Sequence, residues 1–146
     1  MEIKKILKEN RFCLSFEVFP PRREGSLENL YRTIGELGSF EPDFISVTYG
    51  AGGTTRDKTL EIASKVKNDF GREVLAHLTC VEATRDDIAR TLDAFGERNI
   101  ENILALRGDP PAGEATFTPT PGGFDFASDL VEFIRRRWSF CIGVAG

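Results

Sequence analysis

The chain has 146 residues, 40% of them hydrophobic, enough for one ordinary domain with a core of its own. Its formal net charge of -4 is mild and its 19 Lys and Arg residues are scattered, which excludes a nucleic-acid footprint. No apolar run is long enough to span a membrane, and Met1 to Asn10, with Lys4, Lys5 and Lys8, lacks the apolar stretch of a secretory signal.

Strand patterns begin near Phe12, Phe44, Val74, Asn102 and Ser139, roughly thirty residues apart, the usual length of a βα unit. The first, Phe12 to Phe19, carries Glu17 and runs into Pro20-Pro21-Arg22-Arg23. A helix from Ser26 then places Leu27, Leu30, Tyr31, Ile34 and Leu37 on one face. Phe44 to Tyr49 is the second strand, ending in Gly50-Ala51-Gly52-Gly53, and the next helix carries Leu60, Ala63, Val66 and Phe70. Val74 to Cys80 holds the only histidine, His77. Thr84-Arg85-Asp86-Asp87 reads as a capping-box entry to a third helix that buries Ile88, Leu92 and Phe95. Asn102 to Leu106 is a strand that stops in Arg107-Gly108-Asp109 and is barred from continuing by Pro110 and Pro111. After a long connection from Pro110 to Asp125, a fourth helix near Phe126 carries Leu130, Phe133 and Ile134, and the last strand is Phe140 to Gly146.

Such alternation means a parallel sheet, because each helix returns the chain to the same end. No domain boundary or low-complexity tract interrupts residues 1–146. The three cysteines, Cys13, Cys80 and Cys141, are far apart and lie in strand patterns, which suits reduced core residues of a cytoplasmic protein rather than a disulfide or metal site.

Strand parity bears on the architecture. Leu14, Phe16 and Val18 oppose Cys13, Ser15 and Glu17; Ile45 and Val47 oppose Ser46 and Thr48; Ala76 and Leu78 oppose His77 and Thr79; Phe140, Ile142 and Val144 oppose Cys141, Gly143 and Ala145. One face is bulky and apolar, the other small or polar. An open doubly wound sheet wants both faces apolar, so the asymmetry favours a closed barrel with a site inside it. Five strands cannot close a (β/α)8 barrel, so the chain is expected to be an open sheet or the front part of something larger.

Glu17 is the sharpest candidate. A carboxylate on an apolar strand costs roughly several kcal/mol if buried and unpaired, so it keeps a proton, as a general acid does, or has a partner such as Arg22, Arg23 or Arg107. Asp109 is either a reactive acid at a strand tip or the cap of a turn. His77 alone reads more simply as a hydrogen-bonded core histidine than as a ligand, and Thr48 as a strand threonine. Gly50-Ala51-Gly52-Gly53-Thr54-Thr55 offers backbone N–H groups to an anion but matches neither the dinucleotide fingerprint nor the P-loop.

Taken together, Ser15-Phe16-Glu17-Val18-Phe19-Pro20-Pro21-Arg22, Ser46-Val47-Thr48-Tyr49-Gly50-Ala51-Gly52-Gly53, His77-Leu78-Thr79-Cys80 and Asn102-Ile103-Leu104-Ala105-Leu106-Arg107-Gly108-Asp109-Pro110-Pro111 closely resemble the methylenetetrahydrofolate reductase family in order and spacing. The resemblance covers the chain from about residue 10 to its end. It implies a (β/α)8 TIM barrel that binds FAD at the C-terminal ends of its strands and reduces 5,10-methylenetetrahydrofolate to 5-methyltetrahydrofolate with NADH or NADPH. This chain then supplies about the first five strands and four helices.

By the same resemblance, Glu17 is the general acid that protonates folate N10, and Asp109 is the acid beside flavin and pterin. Thr48, His77, Leu106, Arg107, Gly108 and Asp109 fall on positions that contact FAD, with Ala127 and Ala145 lining the cofactor. Phe126, also on the cofactor side, stands where other members often carry tyrosine. Glu17, Thr48 and Asp109 face the folate. In the family the fifth strand runs on into a Tyr-Pro-Glu segment with further flavin contacts, so residues 1–146 alone are expected to bind FAD weakly and to lack activity. The full-length protein is expected to be a cytoplasmic homo-oligomer whose partners are the folate and the nicotinamide nucleotide, with no membrane or nucleic acid. The alternative is a flavin- or folate-binding module, or a partner subunit, that keeps the motifs without turnover.

Overall fold

The computed structural model describes residues 1–9, 12–21, 27–49, 53–110, 113 and 115–145, with the main chain alone for 53–56. In chain order the elements are α1 (Ile3–Glu9), β1 (Ser15–Val18), α2 (Leu27–Gly38), β2 (Phe44–Val47), α3 (Gly53–Asn68), β3 (Val74–Thr79), α4 (Arg85–Glu97), β4 (Asn102–Leu106), α5 (Ala127–Arg137) and β5 (Cys141–Val144). The strands form one sheet in the order β1-β2-β3-β4-β5. Every pairing is parallel, so each helix from α2 to α5 is a crossover. This is an α/β fold consistent with part of a TIM barrel.

Alternation along each strand splits the sheet into two chemistries. Ile45, Val47, Ala76, Leu78, Ile103 and Ala105 are fully buried, and they meet Ile34, Ile62, Val66, Ile88, Leu92, Phe95, Leu130 and Ile134 from the helices. Each aliphatic side chain buried there contributes about 1.5–3 kcal/mol. On α4 the buried residues are Ile88, Leu92 and Phe95, spaced as one helical face requires. The Thr84 hydroxyl accepts from the Asp87 N–H at 3.2 Å while the Asp87 carboxylate accepts from the Thr84 N–H at 2.9 Å, the reciprocal cap expected from the sequence.

Several expectations are corrected. The first strand is Ser15–Val18, shorter than Phe12 to Phe19. Phe12 and Phe19 are exposed, because β2 starts opposite Ser15 and Pro20 follows Phe19. Of the cysteines only Cys80 is buried, and Cys13 and Cys141 are half-buried. Among the described residues there are five helices rather than about four, α1 being one that Met1 to Asn10 did not suggest. Its buried apolar positions, Ile3 and Ile6, are too few to show a period among the lysines, and Leu7 is exposed.

The polar anchor of α1 is Asn102, which is fully buried. Its Oδ1 accepts from the Ile3 N–H at 2.7 Å, and its Nδ2 donates to the Met1 carbonyl and to Glu73 Oε1, each at 3.0 Å. Beside it the Met1 amino group and Lys67 pair with Glu73 and Glu101. The amino terminus and Lys67 hold the Glu101 carboxyl below its usual range. The helix is thereby fixed against the starts of β3 and β4. Asn102→Ala leaves these groups unsatisfied and should cost about 1–3 kcal/mol. Urea unfolding should show a lower midpoint and hydrogen exchange a faster Ile3 amide. An unchanged midpoint with the Ile3 amide still protected would show that Ile3 and Ile6 hold the helix unaided.

Candidate active site

The sheet face opposite the α2–α5 layer carries Glu17 on β1, Ser46 on β2, His77 and Thr79 on β3, and Leu104 and Leu106 on β4. Register sets their heights. Glu17 pairs with Ser46 and Ser46 with Leu75, so His77 stands two residues further along β3, diagonally across from Ser46. His77 in turn pairs with Leu104, and Leu104 with Gly143.

Three of these side chains touch. Ser46 Oγ lies 2.7 Å from His77 Nε2 and donates to Glu17 Oε2 at 3.2 Å, while His77 Nε2 lies 3.5 Å from the same carboxylate oxygen. Ser46 and His77 are buried, but the Glu17 side chain is 47% exposed. The costly case, a Glu17 both buried and unpaired, does not arise. β1 is an edge strand of this sheet, so its polar face is walled on one side only. Its partners are a hydroxyl and an imidazole. Arg107 instead lies 5.0 Å from the ring of Phe117, and Arg22 and Arg23 fall outside the described residues. Burial pushes the His77 imidazole below its usual 6.5, with the Glu17 charge pulling the other way. Behind this face, burial pushes the Cys80 thiol up to about 11, which keeps it an inert core group.

Past β4 the chain turns sharply at Gly108, where φ is +88°. A Cβ there would come within 2.3 Å of Val81 Cγ2 and 3.1 Å of Thr79 Cβ, so both conformation and space demand glycine. The turn fixes where Arg107 and Asp109 emerge, and both are solvent-exposed. Phe117, under Arg107, ties the long connection to this strand end, and the Arg85 N–H donating to the Gly122 carbonyl at 2.9 Å ties it to the start of α4.

The other expected positions gather at the same end of the sheet without touching the trio among the described contacts. The Thr48 N–H donates to the Val18 carbonyl at 3.0 Å, tying the ends of β1 and β2 together. Leu106 is half-buried beside Thr79. Phe126 is exposed, its N–H donating to Asp129 Oδ2 at 3.3 Å ahead of α5, and half-buried Ala127 opens that helix. Ala145 is exposed just past β5. The glycine-rich stretch at residues 50–52 lies outside the described residues. Two clefts of about 480 and 500 Å³, one lined by Asp57, Glu61 and Arg98 and the other by Lys67, Trp138 and Phe140, lie away from this face.

A family model described as methylenetetrahydrofolate reductase matches residues 2–146. The chain belongs to the methylenetetrahydrofolate reductase family. It is 43% identical over 147 residues to methylenetetrahydrofolate reductase (NADH) 1 of Arabidopsis thaliana, covering 99% of this chain and 25% of that one. It is 39% identical over 137 residues to 5,10-methylenetetrahydrofolate reductase of Escherichia coli, covering 94% and 44%. The chain thus spans between a quarter and a half of the length of these reductases. Within this family segment Ser46 is the residue that sequence reasoning passed over, although parity had already set it beside Thr48 on the polar face.

The titration of His77 gives a stability signature. Because the folded chain resists protonation that the unfolded chain accepts near 6.5, stability is full above that pH and falls as pH drops from there toward the folded value. Urea unfolding at about pH 7.5 and about pH 5.5 should show this loss in the wild type, and His77→Gln should show less of it. Equal losses in both proteins would mean that other groups carry the acid sensitivity.

Proposed function

We propose that this chain supplies the Glu17 side of an FAD-dependent methylenetetrahydrofolate reductase, which converts 5,10-methylenetetrahydrofolate to 5-methyltetrahydrofolate with a nicotinamide donor. The observation that carries this reading is the Glu17 carboxyl held on the polar sheet face by Ser46 and His77, neutral groups that can follow a moving proton. A carboxylate serving only as half of a structural ion pair would be matched with a cation.

The residues present fit a flavin. Gly143 pairs with Leu104 and has no side chain, and a Cβ there would approach Leu104 Cδ1 to 3.2 Å, so no side chain from β5 crowds the Leu104 surface where a flat ring would lie. Thr48, His77 and Arg107 are polar contacts for such a ring and its phosphates, with Leu106, Gly108, Phe126, Ala127 and Ala145 lining it. Bound FAD would carry a hydride from NADH or NADPH to the folate; the printed name of the plant relatives makes NADH the first donor to test.

Protonated Glu17 gives its proton to folate N10, so the five-membered ring opens to an iminium that accepts hydride. The Asp109 carboxylate stabilises that cation and, on the turn that Gly108 fixes, holds negative charge beside the flavin. The free thiols, with Cys80 protonated at neutral pH, suit a cytoplasmic setting. The activity is that of a polypeptide with the whole barrel, and residues 1–146 alone would hold FAD weakly, because contacts remote from the chemistry supply much of the positioning.

In such a polypeptide Glu17→Gln keeps the shape and removes the acid. Folate reduction should fall by the ~10²–10⁴-fold typical of general acids, while flavin reduction by the nicotinamide stays near normal. Stopped-flow traces with equal losses in both half-reactions would make Glu17 structural. A fixed negative charge near the isoalloxazine disfavours added electrons, so Asp109→Asn should raise the flavin midpoint potential and slow folate turnover. An unchanged or more negative midpoint in potentiometry would remove Asp109 from the flavin's surroundings.

A further inference from the structure

Ser46 belongs to no role assigned so far, yet it is the hub of the only described contacts that Glu17 makes. Its hydroxyl reaches the Glu17 carboxyl and the His77 imidazole at once, from a buried position on the strand between them. Hydrogen-bond valence then dictates direction. An ionised carboxylate only accepts, so the Ser46 proton points to Glu17 and the Ser46 oxygen accepts from His77 Nε2–H. A protonated Glu17 donates to the Ser46 oxygen instead, the Ser46 proton turns to His77 Nε2, and the imidazole carries its proton on Nδ1. The carboxyl gains one proton, and the imidazole keeps one, moved between its nitrogens by exchange with water. A hydroxyl serves both arrangements without displacement, whereas an alanine serves neither and an amide would have to flip.

We propose that Ser46 is a positioning residue, which with His77 holds the Glu17 carboxyl in one place through both of its protonation states. The inference rests on the reading of Glu17 as the acid of the reductase reaction. Among the described residues the charged groups at this end of the sheet include Glu17 on β1, Lys58 donating to the Pro21 carbonyl, Glu82 past β3, Arg107 and Asp109 past β4, and Asp125 ahead of α5. Burial of the imidazole keeps it neutral and so able to switch tautomers.

The single histidine makes the test clean. In residues 1–146 labelled at His77 nitrogens and Glu carboxyl carbons, nuclear magnetic resonance titration gives both midpoints. Ser46→Ala deprives the Glu17 carboxylate of a donor and the imidazolium of an acceptor. The Glu17 midpoint should rise and the His77 midpoint should fall, each by about half a pH unit or more, and Ser46→Thr, which keeps the hydroxyl, should restore both. Mere loosening would instead move His77 up, toward its free value, and leave Glu17 alone. In the complete reductase, Ser46→Ala should lower the maximal rate of folate reduction about tenfold with KM and flavin reduction little changed. Midpoints that stay put or move together, or an unaltered folate rate, overturn the proposal. If Glu17→Gln leaves folate reduction intact, the reductase reading fails by itself, and opposed midpoint shifts would still establish the hydrogen-bonded chain.

Discussion

The organising constraint is the two-residue period of parallel strands, imposed by helices that cover one face. Once Ile45 and Val47, Ala76 and Leu78, and Ile103 and Ala105 are driven under the helices, Ser46, His77 and Leu104 have no choice of side. A slip of one residue in β2 or β3 would expose the core set and bury the polar one, at a cost of several buried aliphatic side chains, each about 1.5–3 kcal/mol. The Glu17–Ser46–His77 geometry is therefore held by hydrophobic packing on the opposite side of the sheet. Its own hydrogen bonds, each worth about 1 kcal/mol net, orient the side chains but are too weak to set register.

The strand tips follow a different rule. Beyond β4 the Cys80 N–H still donates to the Arg107 carbonyl at 3.1 Å, and past that bond steric exclusion takes over: Val81 and Thr79 leave no room for a side chain at Gly108. Arg107 is held over Phe117, which ties the long connection to the strand end, and Arg85 ties the same connection to the start of α4. The described part of the connection, residues 115–125, is thus fastened at both elements.

Elements with a strong period were legible from the sequence. Ile88, Leu92 and Phe95 announced α4, its capping box announced where it starts, and strand parity announced the two faces of the sheet. Short elements were not. α1 depends on Asn102, almost a hundred residues away, and nothing local distinguishes it from a charged coil. Glu17 was legible as an anomaly, but its surroundings were not, because exposure on an edge strand and a diagonal contact to His77 depend on pairing order and register. Ser46 escaped notice for the opposite reason. A serine in a strand is unremarkable until its neighbours on both sides are known to be an acid and an imidazole.

Exposure of Glu17 also says what kind of site this face makes. A carboxylate half open to water is screened. Covering the face by a ligand removes that water and strengthens every interaction beneath. Desolvation is costly where polar groups are stranded, at roughly 1–3 kcal/mol for each unpaired group. Here the carboxyl, the hydroxyl and one imidazole nitrogen already bond one another, so closure strands none of the three. The hydrogen bonds that orient the Glu17 carboxyl are made before the face is covered, so a ligand arriving on it meets three polar groups already ordered against one another.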